Sequence, residues 1–543
     1  MKQPENQSKK YATLFADIDS GRIKIPQFQR DFVWDKTQTA KLIDSIIKGF
    51  PIGTFIFWKT RERLRSIRNI GNVELPEPPK GDAVLYVLDG QQRITSLYAV
   101  RKGIILTRDG ESVDYKDLCV DLALMPDGEE EVVLAEPQEG KRTISIHRLL
   151  TGSLTSFLKS YSEKELERIE VYQRRLTGYD FSVIEIADYE IDIACEIFTR
   201  INTGGKALTL FEIMVAKTYD LERKFDLQER YDELIDSEGT AKDLEDANFE
   251  TIPPVTILQC LAAKVCGSIK RGDILKMERD AVVDAWPVVV GSIFSAVDFM
   301  RSHLGVQVSR LLPYNTLLIP LTYFFICQSK APSTRQVALL RQYFLWASLS
   351  NRFNSAVETK IETDLKRIDA IVREEQPSYD SEPLRLTVED FRHRPFIATD
   401  AFCKAVLCIL VAQQPRSLVD NGIVQIDNSW LKVASSRNFH HFFPKAFLKK
   451  RGIDWRDANR LANIILVNAD LNKRVIRARA PSDYIKEFQE KNPDMAKALS
   501  SHFIGDPAAF GILVDDYEVF ITNRATELLK TVDAQLLVER PVA

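Results

Sequence analysis

Apolar residues change period several times along the chain, and each change marks an element. Ile23 to Ile25 is a short apolar run closed by Pro26, which suits a strand. Asp35 opens the next stretch, with Gln38 three residues on in the capping-box position. Ala40, Leu42, Ile43, Ile46 and Ile47 then recur at helical spacing, and Gly49 supplies the stop. Ile52 to Trp58 returns to a strand pattern. Ala83 to Leu88 is continuously apolar, as a buried strand would be, and Ile94, Leu97, Tyr98 and Val100 continue at helical spacing. Asp89 and Gly90 form the turn between them.

Further on, Thr209 and Glu212 form a capping box ahead of another helix. From about Phe211 to Gln414 the pattern is mostly helical, with a polar connection from Ser237 to Asn248. The most apolar stretch, Leu311 to Cys327, is interrupted by Pro313, Asn315 and Pro320; it predicts a buried helix rather than a membrane span. Between the sheet-like N-terminal blocks and this helical region, the acidic segment Pro126 to Gly140 reads as a solvated hairpin or loop. Near the C-terminus, Ile464 to Val467 is a short strand. Asn468 or Asp470 can cap a helix from about Leu471 to Arg479, which Pro481 would end.

At 543 residues the chain exceeds one hydrophobic core, and its length suggests about three domains. An apolar fraction of 45% and a charged fraction of 28% are those of an ordinary globular protein. The net charge of −4 excludes a general nucleic-acid-coating protein, so any such contact must be local. Arg437 to Arg479 holds eleven Lys/Arg against three Asp, an excess of eight that leaves −12 for the rest of the chain. The seven cysteines contain no C-x-x-C pair, which argues against a structural zinc site or disulfide framework and fits a reducing cytoplasm. The polar start MKQPENQSKK lacks the apolar core of a signal peptide. The expectation is a cytoplasmic protein with no membrane attachment.

Two N-terminal blocks carry candidate chemistry. A strand, a tight glycine turn and a helix over Ala83 to Val100 would place helical N–H groups at an open end, where the helix dipole also favours an anion such as phosphate. Arg93 could add a forked phosphate contact, and Asp89 could hold a metal or orient a water. Equally, Asp89 could cap the helix while Gly90 only permits the turn. The second block, Asn202-Thr203-Gly204-Gly205 flanked by Arg200 and Lys206, is a turn rich in backbone donors. It is no Walker A loop, because Ala207 follows Lys206 and the first glycine of G-x-x-x-x-G-K-S/T is missing.

The C-terminal basic segment holds an adjacent pair, His440 and His441, with Pro444 three residues beyond, then Asn463 and Asn472. Hydrolysis of a phosphodiester needs a base to activate water, a divalent ion to stabilise negative charge, and cations to hold the backbone. Histidine suits the base because its ordinary pKa is near 6.5. Adjacent residues on a strand point to opposite faces, so a local turn would be needed for both histidines to serve one site.

IPQFQRDFVW, VLDGQQRITSL and FTRINTGGKALT together resemble the N-terminal domain of the GmrSD group of modification-dependent (type IV) restriction enzymes. That resemblance implies a ParB/sulfiredoxin-like α/β fold that binds or hydrolyses a nucleoside triphosphate. By motif the pocket would involve Asp89, Gly90, Gln91, Gln92 and Arg93, with Gln29, Arg30, Arg200 and Asn202. NFHHFFPKAFL, LANIILVNADLNKRV and PSDYI resemble the HNH (ββα-metal) nuclease domain of the same group. By motif His441 would be the general base and His440 a metal ligand. Asn463 would brace the loop and Asn472 would be the second ligand, with Lys445, Lys473 and Arg474 on DNA phosphates. One imidazole and one amide form a hard, sparse ligand set, which favours Mg²⁺ or Mn²⁺ over zinc.

These readings give an α+β multidomain protein. Residues 1–215 form the nucleotide-binding domain, 216–415 a helical connector that transmits state between the ends, and 416–543 the HNH endonuclease domain. The expected activity is nucleotide-regulated, metal-dependent cleavage of foreign, modified phage DNA, and a homodimer is compatible with it. Alternatives of a different class are a ParB-like nucleotide-binding DNA sensor or regulator with a non-cleaving HNH fold, and a nicking toxin acting on host DNA or RNA.

Overall fold

In the computed structural model, the described residues are all except 1–2, 27–31, 62–63, 65, 68, 71–72, 80, 109–110, 188, 190, 202–207, 221, 380–383, 427–438, 468–475 and 537–543. They divide into two compact units, Met1–Leu227 and Gln228–Ala543. The sequence-based boundary between residues 415 and 416 therefore lies inside the second unit.

The first unit is built on a six-stranded mixed sheet. Its strands are β1 (Glu5–Lys10), β2 (Ile23–Pro26), β3 (Phe55–Thr60), β4 (Ser66–Ile67), β5 (Val84–Asp89) and β6 (Asp180–Ala187), in the order β1-β6-β3-β5-β2-β4. Pairing is parallel between β6 and β3 and between β2 and β5, and antiparallel elsewhere. Alternation sorts the strand residues by face. Ile23, Ile25, Phe55, Phe57, Leu85, Val87, Phe181 and Val183 enter one core. Helices that contribute to this core include α1 (Tyr11–Asp19), α2 (Lys36–Ile47), α3 (Gln91–Lys102) and α4 (Glu163–Thr177). Trp58, Tyr86 and Ile186 are also buried but lie outside that core, and helix α5 (Ile191–Ile201) packs against β5.

Several local expectations are met. The capping box of α2 forms, with Asp35 Oδ1 accepting from the Gln38 amide at 2.7 Å and Gln38 Oε1 from the Asp35 amide at 3.1 Å. The capping box of Thr209 and Glu212 forms as well. Two expectations shift. The strand expected at Ile52 begins only at Phe55, because Gly53 turns through φ 84° and the carbonyls of Ile52 and Thr54 point to Arg93. The acidic excursion is partly tied down: Val133–Leu134 pairs with Cys119–Val120, and the buried Asp44 carboxylate accepts from the Val132 amide at 2.7 Å.

The second unit is mainly helical. Its core helices are α6 (Pro254–Val265), α7 (Arg279–His303), α8 (Leu318–Cys327), α9 (Thr334–Leu349), α10 (Val357–Val372) and α11 (Ala401–Ala412). Helix α8 is the buried apolar helix expected near Leu311–Cys327. Among the described residues α7 alone is long and apolar enough to cross a membrane; half of that stretch is buried, and it packs on α6 and α8. One buried polar cluster was not legible. Asp364 receives Arg352 at 2.7 Å, Arg367 at 2.6 Å and the Tyr343 hydroxyl at 2.9 Å, and both guanidiniums lie over Trp346.

Candidate functional site

At the end of β5 the chain turns through Gly90 at φ 96° into α3. Glycine is required here twice over: the left-handed backbone disfavours any other residue, and a Cβ would stand 2.3 Å from Phe55 Cδ1. Gly90 is itself the N-cap and no side chain caps the helix, so Asp89 is not the cap it was alternatively read to be. Asp89 Oδ2 instead receives Arg93 Nη2 at 2.9 Å.

Arg93 is turned inward. Its Nη1 donates to the Ile52 carbonyl at 2.7 Å, its Nη2 to the Thr54 carbonyl at 3.1 Å, and its guanidinium lies 5.1 Å from the Phe55 ring centroid. The fork thus clasps the 52–54 turn to the start of α3. Gln92 is buried, and its Oε1 accepts from the amides of Val33 at 2.8 Å and Trp34 at 3.3 Å. Gln91 is buried beside it. Arg200 is exposed on α5 and paired with Glu196 at 2.5 Å. Gln29, Arg30 and Asn202 lie outside the described residues. The structure therefore brings Asp89, Gly90, Gln91, Gln92 and Arg93 together, mostly as a self-bonded scaffold at an uncapped helix start.

The C-terminal site is a short antiparallel pair, β7 (Phe439–His441) and β8 (Ile464–Leu466), with His440 opposite Ile465 and His441 opposite Ile464. Both histidines are strand residues, and the bend comes after them, at Phe442 and Phe443. No turn separates the pair, so they project to opposite faces. One ion bound by both rings is not what this geometry offers; it suits two separate tasks.

Asn463 is fully buried and braces the bend. Its Oδ1 accepts from the Phe443 amide at 2.9 Å, and its Nδ2 donates to the carbonyls of Phe443 and Ala458 at 3.0 Å each. Beneath the bend, Phe442 stacks on Phe520 at 4.6 Å and Phe443 lies 5.4 Å from Tyr517. Pro444 then caps the short helix α12 (Lys445–Lys450). Helix α14 (Tyr517–Gln535) adds Arg524, fully buried, whose Nη1 donates to the Ala462 carbonyl at 2.7 Å.

His441 is half-buried, and its Nε2 lies 2.9 Å from Oδ1 of Asn459. Burial pushes its imidazole down to about 4; the Asn459 bond opposes that shift, while Lys445 and His440 add to it. The ring is therefore neutral near pH 7, as a proton acceptor must be. Lys445 stands at the start of α12, and desolvation by the surrounding protein lowers its ammonium below the usual range. His440 is buried, at 3% exposure. Among the described residues no three His, Cys, Asp or Glu side chains form a metal cluster. Of the residues expected to hold the ion or the DNA, His440 and Lys445 are described, and Asn472, Lys473 and Arg474 lie outside the described residues. An imidazole donor is compatible with several divalent ions, and Mg²⁺ or Mn²⁺ is the one expected from the motif.

One expectation is overturned nearby. Pro481 does not end a helix running through Arg479; residues 477–479 are not helical, Arg477 has φ 51°, and Pro481 opens the helix Pro481–Lys491 at its first position. Asn459 was missed altogether. It follows the one-turn helix α13 (Trp455–Ala458) and carries no motif, its only signal being a second asparagine four residues before Asn463.

One comparison with known proteins falls within the first unit. Residues 11–219 match the family of the GmrSD restriction endonuclease, N-terminal domain. Over this stretch the chain is similar to a restriction endonuclease, and the DGQQR turn at the end of β5 falls within the match. The chain is also similar to the uncharacterized protein MJ0686 of Methanocaldococcus jannaschii, at 23% identity over 542 residues covering 90% of each chain, so that likeness spans both units.

Proposed function

We propose that the chain is a nucleotide-regulated, divalent-metal-dependent DNA endonuclease of the HNH type, acting in the cytoplasm to restrict modified phage DNA. The observation that carries this reading is the arrangement around the β7–β8 pair. A neutral, hydrogen-bonded His441 stands at the edge of a bend that Asn463 closes, within a strongly basic segment. The match of residues 11–219 to a restriction endonuclease domain supports it from the other unit.

In this reading His441 takes the proton from a water that attacks phosphorus in line with the leaving oxygen. Asn463 keeps the bend from Phe442 to Pro444 in one shape, so the base meets the phosphate at a fixed distance. Lys445, with Lys473 and Arg474, neutralises backbone phosphates. By motif His440 and Asn472 would hold Mg²⁺ or Mn²⁺, which would supply positive charge against the extra charge of the transition state; with His440 on the face of β7 opposite His441, that ion would have to reach the phosphate around the strand.

The Asp89–Arg93 turn is proposed to bind a nucleoside triphosphate at the uncapped start of α3. Arg93 is committed to the 52–54 turn, which favours a binding and switching role for this block over a phosphate-gripping catalytic one. A ligand that displaced those bonds would release the turn, and its preference for one state would bias the unit toward that state. The sensor reading, in which the HNH fold only binds DNA, is separated by a plasmid assay. Mg²⁺-dependent cleavage by the wild-type chain and none by His441→Ala supports the nuclease. Equal inertness of both across metals, nucleotides and modified DNAs rejects it.

A further inference from the structure

We propose that Asn459 is a positioning residue that fixes which ring nitrogen of His441 is free to take a proton, namely Nδ1. The inference rests on the nuclease reading for its purpose, while its geometry stands separately. Nε2 of His441 lies 2.9 Å from Oδ1 of Asn459. An amide oxygen has only lone pairs to offer, so this contact is a hydrogen bond only when Nε2 carries the hydrogen.

The amide's orientation is set by its other end. Asn459 Nδ2 donates to the Phe396 carbonyl at 3.0 Å. Turning the amide over would place Oδ1 against that carbonyl oxygen, two acceptors with no hydrogen between them, and would forfeit the bond. The orientation is thus assigned by the hydrogen-bond pattern. The backbone holds the residue in place as well: the Phe396 amide donates to the Asn459 carbonyl at 2.7 Å, and the Leu461 amide to the Arg394 carbonyl at 2.7 Å. The Asn459 amide closes on the carbonyl of Trp455 at 3.1 Å.

Asn459 is therefore locked between the 394–396 segment and the end of α13, with one face of its amide presented to His441. With Nε2 occupied, the lone pair of the neutral imidazole sits on Nδ1. A ring free to exchange tautomers would present a hydrogen at Nδ1 for part of the time and could not accept a proton there.

The test is the tautomeric state of His441, read by long-range proton–nitrogen correlation on the full chain with ¹⁵N-labelled histidine. The signal is assigned by its loss in His441→Gln. The wild type is expected to show hydrogen on Nε2 and a bare Nδ1. Asn459→Ala is expected to give a mixture of tautomers, and to lower kcat roughly a hundredfold with KM little changed. Asn459→Asp forfeits the bond to the Phe396 carbonyl, but its carboxylate still accepts from Nε2–H, and it is expected to keep the wild-type tautomer. Hydrogen on Nδ1 in the wild type would overturn the proposal, and so would an unchanged tautomer in Asn459→Ala. Should Asn459→Ala fail to fold, the wild-type and Asn459→Asp spectra still decide. A wild-type chain that cleaves no DNA would defeat the nuclease reading, and the tautomer measurement would then judge Asn459 by itself.

Discussion

Asn463 closes on Phe443 from both sides, accepting from its amide at 2.9 Å and donating to its carbonyl at 3.0 Å. All of this side chain's hydrogen-bonding groups are spent inside the protein, with the remaining hydrogen on the Ala458 carbonyl. Asn463→Ala would strand three buried backbone groups. A loss of about 2–4 kcal/mol is expected, readable as a lower denaturant midpoint at unchanged slope. Cleavage should fall with it, because the bend no longer holds His441 and Lys445 in register. A stable Asn463→Ala with full activity would remove the brace from the account.

Gly90 tests the N-terminal scaffold. Its φ of 96° and the 2.3 Å approach of a Cβ to Phe55 leave no room for a side chain. Gly90→Ala should cost about 1–3 kcal/mol and weaken nucleotide binding together with stability. Arg93→Lys makes the finer distinction. A lysine cannot reach the Ile52 and Thr54 carbonyls and Asp89 at once, so the 52–54 turn should loosen. Faster amide exchange around Gly53 is the expected readout, and unchanged exchange there would contradict the clasp.

His502 gives the chain an acid-sensitive element outside the site. It is fully buried, its Nε2 lies 2.9 Å from the Arg416 carbonyl, and burial pushes its imidazole down to about 4. In the unfolded chain the group titrates near 6.5. A depressed histidine leaves stability whole above pH 6.5 and withdraws it as pH falls toward 4, where the unfolded chain alone binds the proton. The shift corresponds to about 3 kcal/mol, lost across that window and constant below it. Denaturation midpoints of the wild type and His502→Gln between pH 7 and 4 should diverge in slope; parallel curves would refute the assignment.

The fold was legible where local chemistry and packing agree. The capping box of Asp35 and Gln38, the apolar run into β5 and the helical periodicity from Phe211 onward each specify an element by themselves, and each is present. Pro481 misled because proline is as suited to a helix's first position as to the place after its end. At the candidate site, His441 and Asn463 were legible because a motif fixes their spacing. Asn459 was not, since its meaning depends on a partner carbonyl, Phe396, that is 63 residues away in the chain. The contacts of Arg93 were not legible, because its acceptors are backbone carbonyls and no sequence pattern marks those.

The proposed metal dependence can be tested directly. Cleavage is expected with Mg²⁺ or Mn²⁺, to vanish with a chelator and to return on adding the ion. Zinc should not substitute. Full activity in excess chelator would mean that no divalent ion takes part.

The most direct measurement is cleavage of a panel of modified and unmodified DNAs by the wild-type chain and by His441→Ala, with Mg²⁺ and with or without each nucleoside triphosphate. Strand breaks by the wild type that require Mg²⁺, change with nucleotide and disappear in His441→Ala are the predicted result. Identical behaviour of the two chains on every DNA would contradict it.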